Sequence, residues 1–294
     1  MILVVGATSS VGRIVVPQLL ENGEKVRAMT RTPEKATDLK NLGAEVIKGD
    51  LREAESIANA CRGAEKVIAM SHSFTGKGNS SPQIVDDKGN RDLIDAAKAE
   101  GVKYFIFTSV LGARADHPLD FFRIKHKIEQ YLQSSGLDYT IIRASAFMEF
   151  WAAMVGQPIL DSGKTKIFGG GKNPINFVSA KDVAKFALLA LEKPQAKNRI
   201  IEVGGPENLS FKEVVETFER ISGRTAKVSH VPLPAMKIMR GIVGAFNPAL
   251  GRMITAAIYN DTADLTFDVK DTLKQFPLEL TKLEDVVRKH LASN

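Results

Sequence analysis

The sequence predicts an α/β protein built on a doubly wound, mainly parallel sheet, with a smaller C-terminal region that folds beside it. Three observations carry this reading. Residues 1–145 alternate short β-branched runs with helix-like stretches, the pattern of βαβ units. A glycine-punctuated loop, G-A-T-S-S-V-G-R from Gly6 to Arg13, follows the first apolar run and opens a helix. Residues 151–172, and everything after Gly205, depart from the alternation.

The first strand is the apolar run at residues 2–5. Pro17 falls inside the helix after the glycine loop, where it removes a backbone hydrogen bond and predicts a kink. Residues 25–30 form the second strand, and Thr32-Pro33 then offers an N-cap with proline at the first helical position. Residues 44–48 form the third strand, after which Asp50 is expected to cap a helix over residues 51–61. Strands at residues 66–70, 104–108 and 139–143 complete the series. Further along, Ser179 and Asp182 approximate a capping box before residues 183–191. A strand at residues 199–203 ends in Gly204-Gly205-Pro206, and Ser210 with Glu213 spells a capping box for a helix over residues 211–222. The expected division is a nucleotide-binding domain of residues 1–150, with 175–205 returning to it, and a small substrate-side subdomain of residues 151–174 and 206–294. Open α/β sheets bind ligands at their strand ends, and the subdomain is expected there.

With 294 residues, 44% hydrophobic and 25% charged, the chain is long enough to bury a large core. Cys61 is the only cysteine, which excludes an intramolecular disulfide, and no Cys/His cluster has the spacing of a metal site. No basic segment precedes the first apolar residues and no run of about 18 apolar residues occurs, so the chain reads as cytoplasmic. The formal net charge of +6 is mild, and the Lys and Arg residues are scattered. Specific nucleic-acid binding is therefore not expected. A small-molecule substrate and a monomer or homodimer are.

A strand, a loop with Gly6 and Gly12, and then a helix form the context of a dinucleotide fingerprint in a Rossmann sheet. Backbone N–H groups at the helix start must approach a pyrophosphate unobstructed, and the helix dipole favours its charge. Gly6 supplies the turn and Gly12 close packing. Ser9 stands where a middle glycine would fall and adds a hydroxyl that can donate to the phosphates. Thr8, Ser10, Val11 and Arg13 complete the cofactor-binding loop. The second strand ends at Thr30-Arg31, where an NAD site would place an acid. Arg31, with Lys35 one turn on, instead suits a 2′-phosphate, so NADP(H) is preferred over NAD(H). Asp50, with Leu51 beside it, is the expected contact for the adenine.

Several motifs occur in order: G-A-T-S-S-V-G at Gly6, M-T-R-T-P-E-K at Met29, V-I-K-G-D at Val46 and G-V-K-Y-F-I-F-T-S at Gly101. They are followed by K-I-E-Q-Y-L-Q-S-S-G-L-D-Y-T-I-I-R at Lys127 and F-V-S-A-K-D-V-A at Phe177. Over nearly the whole chain the sequence resembles the NmrA-like branch of the atypical short-chain dehydrogenase/reductases. The segments Q-P-I-L-D at Gln157 and D-V-A-K-F-A-L at Asp182 are similar to those of photosynthetic assembly factors in that branch. The resemblance implies a Rossmann domain with a small C-terminal substrate region. It implies either NADPH-dependent reduction of carbonyls, quinones, alkenes or dyes, or a nucleotide-binding regulator or assembly factor without turnover. In the carbonyl reductases of the superfamily a Tyr-x-x-x-Lys pair works with a serine. The matching serine and lysine are Ser109 and Lys125, the expected catalytic residues, but the tyrosine position is Phe121, which cannot donate a proton.

Lys125 is thus expected to hold the nicotinamide ribose. Hydride transfer then needs either no protein acid, or a substitute among His72, His117 and His126. The polar stretch at residues 71–81 is long for a βα loop and reads as a flap or a loose connection. His72, Phe147, Phe150 and Trp151 are the expected substrate contacts, with Met148 and Met154 in the same apolar run. The apolar residues of 235–259 recur at helical spacing, broken by Asn247-Pro248, with Lys237, Arg240 and Arg252 among them. That segment reads as a helical lid over the pocket or against a second subunit, with a membrane surface as the alternative.

Overall fold

The computed structural model describes residues 1–292. The chain divides into two compact units, one of residues 1–143 and 183–202, the other of residues 144–182 and 203 onward. The first begins with β1 (Ile2–Val5), α1 (Gly12–Glu21), β2 (Val26–Thr30), α2 (Thr37–Asn41), β3 (Glu45–Lys48) and α3 (Ala54–Cys61). It continues with β4 (Lys66–Ala69), α4 (Gly89–Ala99), β5 (Tyr104–Val110), α5 (Asp120–Ser134) and β6 (Asp138–Ala144). Then come β7 (Ala146–Phe147), α6 (Ala153–Ser162), β8 (Lys164–Phe168) and β9 (Ile175–Val178), and a return through α7 (Ala180–Glu192) and β10 (Arg199–Val203). The remainder comprises β11 (Asn208–Leu209), α8 (Phe211–Ser222), β12 (Lys227–Val231), α9 (Leu233–Phe246), α10 (Pro248–Thr262), α11 (Lys270–Gln275) and α12 (Leu283–Ala292).

Seven strands form one sheet in the order β10-β6-β5-β4-β1-β2-β3. β1 pairs in parallel with both β2 and β4, with Ile2 opposite Val26 and Lys66. β2 likewise pairs with β3, and β4 with β5. Every residue of β1 is buried, as a central strand covered on both faces requires. Leu93, Ile94 and Ala97 of α4 pack into the same core as Ile128 and Leu132 of α5. Strand order reverses at β1, which leaves a crevice beyond the C-terminal ends of β1 and β4.

One expectation needs correction. The helix after β3 begins at Ala54, not at residue 51, because the Asp50 carboxylate accepts the Arg52 N–H at 3.0 Å and closes a local turn. Residues 144–150 and 175–182 lie in the second unit. The reason is strand pairing: β9 joins β7 in parallel and β11 antiparallel, outside the large sheet.

In the second unit Met148, Val155, Ile159, Phe177, Val214, Phe218, Leu283 and Val287 form a core. α6 approaches α8 so closely that a Cβ on Gly156 would lie 2.2 Å from the Phe218 ring. Ser210 and Glu213 form the expected capping box of α8. α9 and α10 form a hairpin broken at Asn247, whose side chain accepts the Leu250 N–H. No helix among the described residues is long and apolar enough to cross a membrane.

Candidate functional site

The crevice beyond β1 and β4 is a cavity of about 380 Å³, wholly within the first unit. Its walls include Gly6, Thr8, Ser9 and Arg13 from the glycine loop, Arg31 and Lys35 after β2, Asp50 and Leu51 after β3, and His72 after β4. Ser71 and Ser73, from the polar stretch at residues 71–81, also line it, as do Thr30, Thr32, Gly49, Met70 and Val85, which sequence reasoning did not single out as site residues. Each of these lies at or just beyond a strand end, apart from Val85, so the strand assignments carried the signal for most of them.

The glycine loop is shaped by contact. Gly6 has φ +85°, and a Cβ there would lie 2.9 Å from the Ser71 nitrogen. A Cβ on Gly12 would lie 2.4 Å from the Gly6 carbonyl oxygen, so glycine lets α1 seat against the loop. The Gly12 N–H donates to Ser9 Oγ at 3.0 Å, which leaves the serine proton free to donate. The N–H groups of Thr8, Ser10 and Val11 have no acceptor among the described residues. Ser10 is exposed, while Val11 and Gly12 are buried behind the loop.

Charge around the cavity is unequally spent. Arg13 pairs with Asp38 and donates to the Lys35 carbonyl at 2.5 Å. Arg31 and Lys35 are exposed and make no ion pair among the described residues. Asp50 is gripped by Arg52 through Nε and Nη2 at 2.5–3.0 Å. Burial opposes the ionised Asp50 carboxylate, but the Arg52 hydrogen bonds and charge prevail and hold its pKa below the ordinary value.

A second constellation flanks the cavity. Lys125 is 2% exposed, with Nζ 3.2 Å from Oδ1 of Asp86, which is fully buried. The same ammonium donates to the Thr108 carbonyl at 3.3 Å and lies over the rings of Phe107 and Phe121, 4.7 and 5.4 Å from their centroids. Asp86 sits in a π-helical turn, Gln83–Lys88, and its Oδ2 accepts the Ser73 N–H at 2.8 Å. Phe121 packs edge-on against Phe74 and His72, with centroids 5.2 and 6.1 Å apart. His72 lines the cavity, with part of its surface open to solvent and its ring edge-on to Phe121. Desolvation and then the Lys125 charge depress its pKa, so its imidazole is neutral at neutral pH. The stretch at residues 71–81 is anchored: the Ser73 hydroxyl donates to the Ser80 carbonyl, Phe74 is buried, and Arg52 reaches Ser80 Oγ at 3.4 Å.

Other expected residues lie elsewhere. Ser109 is 2% exposed and does not reach the cavity, because its hydroxyl donates at 2.5 Å to the buried carboxylate of Glu129. Glu129 in turn accepts from Arg143 at 3.0 and 2.7 Å, so Ser109 belongs to a packed polar cluster. His126 faces that cluster, 3.8 Å from Glu129. His117 is buried and stacked on Phe122, and its Nδ1 accepts the Leu119 N–H at 3.1 Å. Phe147, Phe150 and Trp151 belong to the second unit. There Phe150 is 42% exposed and packs edge-on against Trp151, while Met148 is core and Met154 lines a separate cavity.

The pattern of the NmrA-like family matches residues 1–285. The chain is 33% identical over 291 residues to the photosystem II assembly factor Ycf39 of Trieres chinensis, covering 97% of this chain and 90% of that protein. It is 33% identical over 239 residues to the NAD(P)H azoreductase of Xenophilus azovorans, covering 81% of this chain and 79% of that one. The NADPH-dependent quinone oxidoreductase QOR2 of Escherichia coli, in complex with NADPH, has the same fold. It superposes with a TM-score of 0.80 at 23% identity, over 99% of this chain and 100% of its own.

Proposed function

The chain belongs to the NmrA-like family, and from that premise we propose that it is an NADPH-dependent oxidoreductase transferring hydride to a small, mostly apolar, electron-poor acceptor of the quinone, enone or carbonyl type. The observation that carries this reading is the combination, at one cavity, of open N–H groups on the glycine loop and two exposed cations, Arg31 and Lys35, in no ion pair among the described residues. A dinucleotide with a 2′-phosphate satisfies both. In this reading Gly6, Thr8, Ser9, Ser10, Val11, Gly12 and Arg13 form the pyrophosphate cradle, Arg31 and Lys35 take the 2′-phosphate, and Asp50 and Leu51 meet the adenine. When bound, the nicotinamide supplies a hydride. Lys125 acts through Asp86, which fixes the Ser73 backbone at the cavity wall. The neutral imidazole of His72 donates its N–H to orient the acceptor, and water delivers the proton, because Phe121 has none to give.

A second reading has its own support. Phe121, the burial of Ser109 and the Ycf39 relatives favour a nucleotide-binding regulator or assembly factor that turns nothing over. Titration with NADPH and NADH, repeated on Arg31→Ala, tests the shared premise. The variant is expected to lose about 1.5–3 kcal/mol of NADPH affinity, the range for a hydrogen bond to a charged group, and to keep its NADH affinity. A panel of quinones, enones and azo dyes then separates the two readings. Tight binding without turnover on any acceptor leaves the regulator, and no binding of either nucleotide overturns both.

A further inference from the structure

The Lys and Arg residues are scattered along the chain, but their excess is not. Residues 220–260 hold Arg220, Arg224, Lys227, Lys237, Arg240 and Arg252 and no Asp or Glu, so the rest of the chain balances 34 bases against 34 acids. β12, α9, α10 and the turn before them thus carry five of these bases against one acid, Asp261, which is +4 of the net charge of +6. Arg220 pairs with Glu284. Lys227, Lys237 and Arg240 have no acidic partner among the described residues. Lys227 also stands directly opposite Lys164 in the β12–β8 register, with Lys166 further along the same face. Like charges facing each other across strands repel unless an anion lies over them.

The same segment exposes its apolar side. Ile238 is 66% exposed, Met239 40%, Ile242 61%, Phe246 88% and Leu250 44%. Ile238, Ile242 and Phe246 fall on one stripe of α9, opposite the stripe of Met236 and Gly244 that faces α10. The hairpin is closely joined, since a Cβ on Gly251 would lie 2.7 Å from the Gly244 Cα. Its apolar face is open to solvent among the described residues. At 14 residues α9 is about 21 Å long, short of the ~30 Å hydrocarbon core, so it suits lying on a membrane rather than crossing it.

We propose that the α9–α10 hairpin docks on an anionic lipid bilayer, with Ile238, Met239, Ile242 and Phe246 entering the interface and the surrounding bases meeting lipid headgroups. Charge decides against a second copy of the chain as the occupant. Self-pairing would bring Lys227, Lys237 and Arg240, which have no acidic partner among the described residues, against their own copies, whereas an anionic surface complements them.

The test uses the full chain and sedimentation with vesicles of phosphatidylcholine, with and without phosphatidylglycerol. Binding is expected only to the anionic vesicles and to fall as salt rises. Ile242→Asp with Phe246→Asp, and separately Lys237→Glu with Arg240→Glu, are each expected to weaken it at least about tenfold while the circular dichroism melt is unchanged. Cys61 is fully buried and burial pushes its thiol up to about 12, so a Phe246→Cys variant takes a thiol-reactive, environment-sensitive dye at that position alone. That dye is expected to brighten and shift to the blue on anionic vesicles. Equal binding to neutral vesicles, full binding by either double variant, or no change in the dye overturns the proposal. So does a dimer in sedimentation equilibrium that Ile242→Asp with Phe246→Asp dissociates and that leaves vesicles unbound.

Discussion

Lys125 and Asp86 form the residue-scale feature on which the cavity wall depends. With 2% and 0% of the two side chains exposed, removing one charge strands the other in the interior. Lys125→Met is expected to destabilise the fold by about 3–5 kcal/mol in urea denaturation, and adding Asp86→Asn should restore part of that loss. A loss under about 1 kcal/mol would mean that water reaches the pair after all. His117 carries a different signature. Burial, reinforced by Arg114, pushes its pKa down to about 4 from an ordinary value of 6.5. Between those values the unfolded chain binds a proton that the folded chain refuses. Stability from this group is therefore complete above the ordinary value, falls as pH drops through the window, and is lost below the folded value, on the order of 3 kcal/mol in all. His117→Phe keeps the stack on Phe122 and should flatten that part of the stability profile, at about 1 kcal/mol for the lost Leu119 bond. Lys125 was legible in the sequence through its motif. Asp86 was not, because nothing local to the Gln83–Lys88 turn announces a partner on α5.

At the scale of elements, legibility follows how local each cause is. The capping box of Ser210 and Glu213 sits within four residues, and α8 begins where that spacing places it. The start of α7 depends instead on a distant acid. Glu149 accepts the Ala180 N–H at 2.9 and 3.0 Å and the Ser179 hydroxyl at 2.8 Å, while the Asp182 carboxylate takes the N–H and hydroxyl of Thr281. The Ser179–Asp182 spacing pointed to the right turn of chain, but the anion at its head comes from the segment before α6. Glu149→Gln removes the charge from that helix start and should lower stability by about 1 kcal/mol, read as a reduced urea midpoint at unchanged slope. Ser210→Ala provides the local comparison, with a loss of about the same size. If Glu149→Gln left the midpoint unmoved, Ser179 alone would suffice as the cap.

At the scale of the whole molecule, the strand order explains why so much of the cavity lining was legible. The reversal at β1 brings four strand ends to one crevice, and the expected phosphate, 2′-phosphate and adenine contacts are residues at those ends. The reacting end was less legible, because Ser109 and Lys125 are drawn into buried partnerships that depend on packing. What remains there is a phenyl ring at the position of the usual acid and a histidine whose lowered pKa keeps it neutral. On the proposed oxidoreductase reading, no protein group must then change protonation during turnover near neutrality. The kcat with a quinone acceptor should accordingly be flat from about pH 7 to 9, where an enzyme using a titrating acid shows a limb. His72→Ala should raise KM more than it lowers kcat, since the imidazole orients the acceptor without giving up its proton. A limb in the kcat profile that vanishes in His72→Ala would instead make His72 the proton donor, and one that survives would point to an acid elsewhere in the chain.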